Sequence, residues 1–495
     1  MIEGICRNRS IQSLEIENEI VDTTFLHLAP FFDENNSLTR LTLRFYEAGD
    51  VRAHNIAIAL ARYKFLKHLS FEYIQFSDEA FSDIIVTALN SLPQIEELVI
   101  CDQYIGGNGF AALSNTLMGM GKLKVLGLLS SDVDDEGLQS LVTGMRNCRD
   151  LVELSLPGNQ NISVAGLRTL TAFFQSENCR LERLDLGSVN IGNEGAITLA
   201  SGLMDYKSLT YLDLSSNNIG DEGLQSLVSG LTTAANASLE TLNLSGNSRI
   251  SIAGIRSLST LIQSERSCLK ELDLSRTDIG DDEAVVLADA LTSNTSLVDL
   301  RLSMRMTNAV QETFSRLLCD ISSINNIYSS NHILEMIGDI PYDEYEPAPD
   351  DVVEKYLMLN RLKAYLEPSD RDLIPMCKIL INHPDLAEME PFFHWKLKFL
   401  PMIVDWFKKA TPCRSHFEES YEAFQRRELS AVYKFIRGVP LLVVDGYWSQ
   451  QLKQVRVMKR RIEEEAKQIL AKKRKVEEEE RQVLERLEGG NRVWV

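Results

Sequence analysis

Two stretches of the chain carry carboxylates densely enough to suggest cation chemistry: Asp132-Val133-Asp134-Asp135-Glu136 and Asp278-Ile279-Gly280-Asp281-Asp282-Glu283. Neither follows the twelve-residue calcium loop, which needs regularly spaced oxygen ligands around a sharp glycine turn. Acids just ahead of a helix have a simpler use, because the positive end of the helix dipole favours them there. The seven His are dispersed with no His-Glu-x-x-His spacing, and the eight Cys include no Cys-x-x-Cys pair. A phosphate loop, nucleophile elbow, kinase signature and dinucleotide fingerprint are all missing. No catalytic residue, metal ligand set or cofactor site is therefore assigned, and a non-enzymatic role is expected. His394 beside Trp395 reads as packed rather than reactive.

The acids matter more as a surface. Asp and Glu number 71 against 51 Lys and Arg, a formal charge of −20. That excess lies within residues 1–350, whereas 351–445 is balanced and 446–495 is basic. An acidic first two-thirds disfavours nucleic acid, whose affinity comes from clustered Lys and Arg, and favours protein partners with basic surfaces. No apolar run approaches the roughly 20 residues that span a bilayer, and the N-terminus lacks the apolar core of a signal peptide. Scattered cysteines read as reduced thiols. A cytoplasmic or nuclear protein with no membrane partner is expected.

The elements that position these acids are set by a repeat. Leu-x-x-Leu-x-Leu recurs at Leu151/Leu154/Leu156, Leu181/Leu184/Leu186, Leu209/Leu212/Leu214, Leu239/Leu242/Leu244 and Leu269/Leu272/Leu274. Looser copies start at Ile11, Leu38, Leu66, Ile95, Leu123 and Leu297, with steps of 27 to 30 residues throughout. Eleven units at so constant a period predict a solenoid. In each, Leu-x-Leu alternation predicts a short strand with leucines inward and the intervening residues outward. A turn and a helix follow, as in Gly223-Leu224-Gln225-Ser226-Leu227-Val228-Ser229-Gly230-Leu231. Asn159, Asn217 and Asn247 share one position, suited to satisfying turn backbone groups of adjacent repeats; Ser131 and Thr277 hold it elsewhere. Helices about 10 Å wide behind strands about 4.8 Å apart force curvature, with the strands on the inner wall. A longer period overlies the first: Ile162-Ser163-Val164-Ala165-Gly166-Leu167-Arg168 and Ile250-Ser251-Ile252-Ala253-Gly254-Ile255-Arg256 lie 88 residues apart, as though three-unit blocks were duplicated.

The unit Leu209-Thr210-Tyr211-Leu212-Asp213-Leu214-Ser215-Ser216-Asn217-Asn218-Ile219-Gly220-Asp221-Glu222-Gly223 resembles the ribonuclease-inhibitor-like class of leucine-rich repeats, over roughly residues 11–338. The fold class implied is an α/β leucine-rich repeat horseshoe. Tyr46, Phe71 and Ile74 depart from the pattern and weaken the early units. Ran GTPase-activating proteins resemble this repeat class and length, which implies an alternative role as activator of a small GTPase. No activator residue matches position by position, so none is carried over.

Outward strand positions are free of packing duty and form the candidate binding face. Acids dominate there, with cations and one aromatic interleaved: Glu97, Glu153, Arg183, Asp185, Tyr211, Asp213, Asp273, Asp299 and Arg301. Pro157 on the same face lacks an N–H and is expected to disturb the strand order locally. Reversing Asp185, Asp213 and Asp273 to Lys is expected to abolish partner capture with little loss of thermal stability. The resulting organisation is a solenoid over 1–338 and an acidic Pro-rich linker over 339–350. A small all-α domain over 351–445 and a long charged helix with tail over 446–495 complete it. The segment Phe392–Pro401 with Arg427–Pro440 is similar to a tail in uncharacterised repeat proteins of unicellular eukaryotes. Val455, Ile462, Ile469, Val476 and Val483 recur every seventh residue, but half of the companion positions 452, 459, 466, 473, 480 and 487 are charged. A solvated single helix is therefore expected, with weak self-association as a coiled coil through 452–487 as the alternative.

Overall fold

The computed structural model describes residues 10–17, 37–44, 50–61, 63–73, 76–232, 238–303, 307–322, 324–338 and 352–361, with the single positions 374, 375, 378 and 382. Each leucine unit starts with a strand: β1 (Ser13–Glu17), β2 (Arg40–Arg44), β3 (His68–Glu72), β4 (Glu97–Cys101), β5 (Val125–Leu129), β6 (Glu153–Ser155), β7 (Arg183–Asp185), β8 (Tyr211–Asp213), β9 (Thr241–Asn243), β10 (Glu271–Asp273) and β11 (Asp299–Arg301). A two-residue β12 (Met336–Ile337) follows, and all twelve pair in sequence order as one sheet. Every pairing is parallel. The twelfth strand eluded the sequence reading because Asp339 stands where the third leucine belongs. Buried Leu334 and the pairing of Ile337 with Leu300 nonetheless keep the repeat register.

Between strands run helices α1 (Asp50–Ala61), α2 (Asp78–Thr87), α3 (Gly107–Leu117), α4 (Asp135–Met145), α5 (Val164–Phe174), α6 (Gly192–Leu203), α7 (Asp221–Leu231), α8 (Ile252–Ile262), α9 (Asp281–Leu291), α10 (Asn308–Leu318) and α11 (Ile324–Ser329), and α12 (Val352–Arg361) follows β12. From α1 to α10 each packs on the next. The result is an α/β leucine-rich repeat solenoid. The fifteen leucines of the five clear motifs are at most 5% exposed. Burying one leucine is worth about 1.5–3 kcal/mol, so this column of side chains drives the fold.

Two compact units divide the chain, residues 1–320 with 329–368 and residues 321–328 with 369–495. The first holds every strand. It also holds α12, which packs on α10 and whose buried Asn360 amide donates to the carbonyls of Leu334 (2.6 Å) and Asn331 (3.4 Å). In the second unit the described residues are 321, 322, 324–328, 374, 375, 378 and 382. The expected charged helix over 446–495, its self-association segment 452–487 and most of 351–445 lie outside the described residues.

Backbone polar groups at the strand-to-helix turn are buried and need partners. Asn159, Asn217 and Asn247, all fully buried, supply them across repeats. The Asn217 side-chain oxygen accepts from Val189 and Ile191 N–H at 2.9 and 3.2 Å, and its amide donates to the Leu186 carbonyl at 2.7 Å. Asn247 treats Asn217 and Ile219 the same way, both at 3.0 Å, and Asn159 does so for Ser131 and Val133. Gln103, buried at the equivalent place, bridges Phe76 N–H and carbonyl from a side chain one methylene longer.

The acidic runs resolve into a second set of ties. Asp134 caps its own helix, accepting from Gly137 N–H at 2.8 Å. Asp135 reaches the next helix, accepting from Ser163 and Gly166 N–H at 2.8 and 2.9 Å, and Asp221 holds Ser251 and Gly254 identically. Asp78 grips Gly106, Asn108 and Gly109, and Asn193 serves Gly220 with an amide oxygen. Asp281 accepts from the Thr307 hydroxyl. Burial works against ionised Asp221, yet the hydroxyl of Ser251 and the two N–H groups hold its carboxyl below the usual aspartate range.

Two substitutions test this packing. A Cβ on Gly230 of α7 would lie 2.7 Å from the Ala200 carbonyl oxygen, whereas Gly107 at the start of α3 has open space. Gly→Ala within a helix ordinarily gains about 0.5–1 kcal/mol. Gly230→Ala should instead lower the melting temperature, by about 1–3 kcal/mol of stability, while Gly107→Ala leaves it unchanged or higher. In acid, the contribution of Asp221 is complete above its unfolded pKa of about 3.9 and is lost as pH falls through the lower folded value. Asp221→Asn, the residue type found at 193, should therefore flatten the fall in melting temperature below about pH 4.

Candidate interaction face

Parallel pairing lines up the outward positions of the strands into rows across the inner wall. One row runs Arg40, His68, Glu97, Val125, Glu153, Arg183, Tyr211, Thr241, Glu271 and Asp299. The next includes Ser155, Asp185, Asp213, Asn243, Asp273 and Arg301. The leucines between them face the core, so these rows present chemistry outward.

The nine expected site residues fall into separate groups. Glu97 sits with His68 Nδ1 at 2.6 Å and Arg40 at 3.6 Å. Beside it Arg44 joins Glu72 (2.5 Å) with Glu17 (3.2 Å) and Glu15. Five others come together over β6–β8. Arg183 Nε meets Glu153 at 3.2 Å and its guanidinium lies 3.9 Å over the Tyr211 ring, a cation–π contact. The Tyr211 hydroxyl donates to Asp213 Oδ2 at 3.3 Å, and the Ser155 hydroxyl donates to Asp185 Oδ2 at 3.0 Å. The last three meet at β10–β11, where Arg301 contacts Asp299 at 3.1 Å and Asp273 at 3.8 Å. In both larger groups the acids outnumber the arginines.

Burial tunes several of these groups. It raises the Asp185 carboxyl, with the charge of Asp213 adding to it and the Gly187 N–H opposing. It raises Asp299 against the opposing pull of Arg301, and the Asp299 Oδ1 atom has no hydrogen-bond partner among the described residues. Burial, then the charges of Asp213 and Asp185, push the Tyr211 phenol up to about 12. Tyr211 is thus a neutral donor at physiological pH. Among the described residues no group of three or more His, Cys, Asp and Glu is placed to hold a metal ion, and no helix is long and apolar enough to cross a membrane.

The aspartates have a second duty that residue types alone did not reveal. Asp185 Oδ1 accepts from Gly187 N–H at 2.9 Å, Asp213 from Ser215 at 2.8 Å, Asn243 from Ser245 at 2.9 Å and Asp273 from Ser275 at 2.8 Å. Each side chain captures the N–H two residues on, as Asx turns do, and withdraws it from the ladder. The strands in which this happens, β7–β10, are three residues long where β2–β5 are five. β6 shortens by another route. Pro157 occupies the captured position and has no N–H, and the residue two before it is Ser155 rather than Asp. The expected disturbance at Pro157 is confined to that shortening: its carbonyl accepts from Ser130 N–H at 2.8 Å, Leu156 donates to Asp185 of β7, Gly158 donates to Gly187 two residues beyond it, and the strand order is unbroken. Lysine at 185, 213 or 273 would leave an N–H without its acceptor, so the expected neutrality of charge reversal needs correcting. Asparagine, native at 243, is the substitution that removes charge alone.

One stretch of the wall is apolar rather than charged. On β5 the outward positions are Val125, Gly127 and Leu129, flanked by Val99 and Cys101 on β4. The strand alternation marked them as outward, and their lack of polar atoms hid them. For the aspartates, Asp213→Asn should melt within about 0.5 kcal/mol of the parent, while Asp213→Ala costs about 1–3 kcal/mol by stranding the Ser215 N–H. Thermal denaturation of both variants measures the difference.

Sequence comparisons with known proteins agree with this architecture. The Leucine Rich repeat family model matches residues 177–200, 207–228, 235–259 and 267–288. Ribonuclease inhibitor from Sus scrofa is 31% identical over 259 residues, 52% of this chain and 56% of that protein. NACHT, LRR and PYD domains-containing protein 14 of Mus musculus is 34% identical over 126 residues, 25% of this chain and 13% of the relative. The matches thus span between about an eighth and somewhat over half of these relatives. Among solved structures, a chain of the Rad7 and Elc1 complex of yeast is 18% identical, with a TM-score of 0.38, over 61% of this chain and 77% of that one. An internalin of Listeria monocytogenes is 17% identical, with a TM-score of 0.36, over 69% and 89%. Residues 177–288 thus carry segments that match the Leucine Rich repeat model, and about half of the chain is similar to a ribonuclease inhibitor.

Proposed function

We propose that the solenoid, residues 1–338, is a non-enzymatic scaffold or receptor whose acidic strand face receives the basic surface of a protein partner. One observation carries this reading. Outward wall positions, which the leucine core does not use, hold two groups in which carboxylates exceed the cations among them: Glu153, Asp185 and Asp213 around Arg183, and Asp273 and Asp299 around Arg301. A face of one sign speeds encounter with an oppositely charged protein and rejects like-charged ones, and it repels phosphate backbones. Solenoids offer extended surfaces of this kind. The pig relative is named for inhibiting a ribonuclease, a protein target, which agrees with the reading. The segments 351–445 and 446–495 follow the linker 339–350 as further attachment points, the basic tail acting as a handle of opposite sign. The scattered cysteines suit a cytoplasmic or nuclear setting.

The test starts with affinity capture by the full chain and identification of bound proteins by mass spectrometry. Affinity for the main partner is then measured for the parent and for the triple variant Asp185→Asn, Asp213→Asn, Asp273→Asn, which keeps each backbone N–H satisfied. The variant should bind about tenfold or more weakly at low salt, and the gap should narrow at about 1 M salt, where the Debye length is about 3 Å. Equal affinities at low salt would move the binding site off this wall.

A further inference from the structure

Along the edge where strands begin, each repeat donates to the one before it. Lys270 N–H bonds the Glu240 carbonyl at 2.7 Å, Val298 N–H the Lys270 carbonyl at 2.8 Å, and Glu335 N–H the Val298 carbonyl at 2.8 Å. The Glu335 carbonyl is next in this series, and among the described residues no thirteenth strand follows to donate to it. Arg361 donates instead, from its side-chain Nε at 2.9 Å. A second series runs beside the first. The buried amides of Asn294 and Asn331 donate to the last carbonyls of α8 and α9, those of Ile262 and Leu291. Each oxygen accepts from the N–H groups two and three residues on. Asn331 also reaches the Asn294 carbonyl at 3.5 Å, and Asn360 likewise reaches that of Asn331 at 3.4 Å and that of Leu334 at 2.6 Å.

Asn360 and Arg361 end α12, which is held on α10 with Val353, Tyr356 and Leu357 buried. The strand they cover is itself blunted. β12 is two residues long, and Gly338 at a φ of 100° turns the chain away in a conformation suited to glycine. Met336 and Gly338 N–H donate to the Val298 and Leu300 carbonyls, so alternation turns the Ile337 N–H to the open side. A bare sheet edge is a template for another chain, and proteins blunt it with short strands or a covering helix.

We infer that α12 is the cap of the solenoid and closes its sheet against strand addition by a second copy of this chain. Asn360 and Arg361 give from side chains the bonds that a thirteenth strand would give from backbone. The solenoid then ends at Arg361, past the acidic linker. An interior repeat is covered on both sides and the last on one, so the end of such an array needs a unit of its own. A second copy is the fitting intruder, because two uncovered β12 edges are identical and can pair antiparallel about a two-fold axis.

Analytical ultracentrifugation of the full chain tests the cap. Asn360→Leu with Arg361→Met keeps most of the bulk of both side chains and removes their donors. At equal protein concentration this variant should show a weight-average mass about twice that of the parent. Ile337→Pro added to it should restore the parent's mass, because proline deletes the outward N–H while the inward bonds of Met336 and Gly338 remain. Should the double variant fail to fold, Arg361→Met alone leaves the Asn360 bonds in place, and a smaller rise in mass that Ile337→Pro removes is expected. A folded uncapped variant with the parent's mass overturns the inference, even if its melting temperature is lower, because α12 is then ordinary packing. Association that survives Ile337→Pro overturns it as well.

Discussion

Everything in the solenoid depends on how a buried turn keeps its backbone polar groups satisfied without a local partner. An N–H left unpaired in the interior costs about 1–3 kcal/mol, and the strand-to-helix turn buries several per repeat. The chain solves this by borrowing. Asn159, Asn217 and Asn247 each bond backbone of the preceding unit as well as their own, and Asp78, Asp135 and Asp221 reach forward to the next helix. No unit is complete alone. The period of the leucines is thereby fixed by polar bonds as firmly as by apolar burial.

The same economy of acceptors shapes the binding face. Asp185, Asp213 and Asp273 point one oxygen at their own backbone and keep the other for the wall, where Ser155, Asn243 or Arg301 approaches it. Charge on this face is consequently held in place by the strand end and moves little with solvent. Aspartate rather than glutamate follows from the turn, because the longer side chain would overshoot an N–H two residues on. β5 shows the contrast: with Gly127 in place of the acid, the strand keeps its full five residues and the wall there turns apolar.

Much of this was legible in the amino-acid sequence, and the limits were physical. Leucine spacing marks every unit through β11, since alternation of buried and exposed positions is a local property. Asn159, Asn217 and Asn247 announced themselves by sharing one phase of the repeat. Gln103 did not, because a longer amide doing the same work breaks the pattern of types. The twelfth strand was hidden by Asp339, and the forward reach of Asp135 to Ser163 was hidden because partners 28 residues apart are only adjacent once the solenoid is wound. The candidate face was readable as a list of side chains. Its division into groups, and the double role of its aspartates, needed the register.

The 88-residue offset acquires a meaning from the forward ties. Asp135 holds Ser163 and Gly166, and Asp221 holds Ser251 and Gly254, so the two junctions are interchangeable couplings. A chain spliced from Ile162 directly to Ser251 would present to Asp135 the same serine and glycine, at the same distance along the sequence, that it grips now. The heritable brick of this architecture is thus a trio of repeats with matching ends. Such an array can gain or shed a trio without inventing a new joint, which lets the length of the receiving wall evolve independently of its stability.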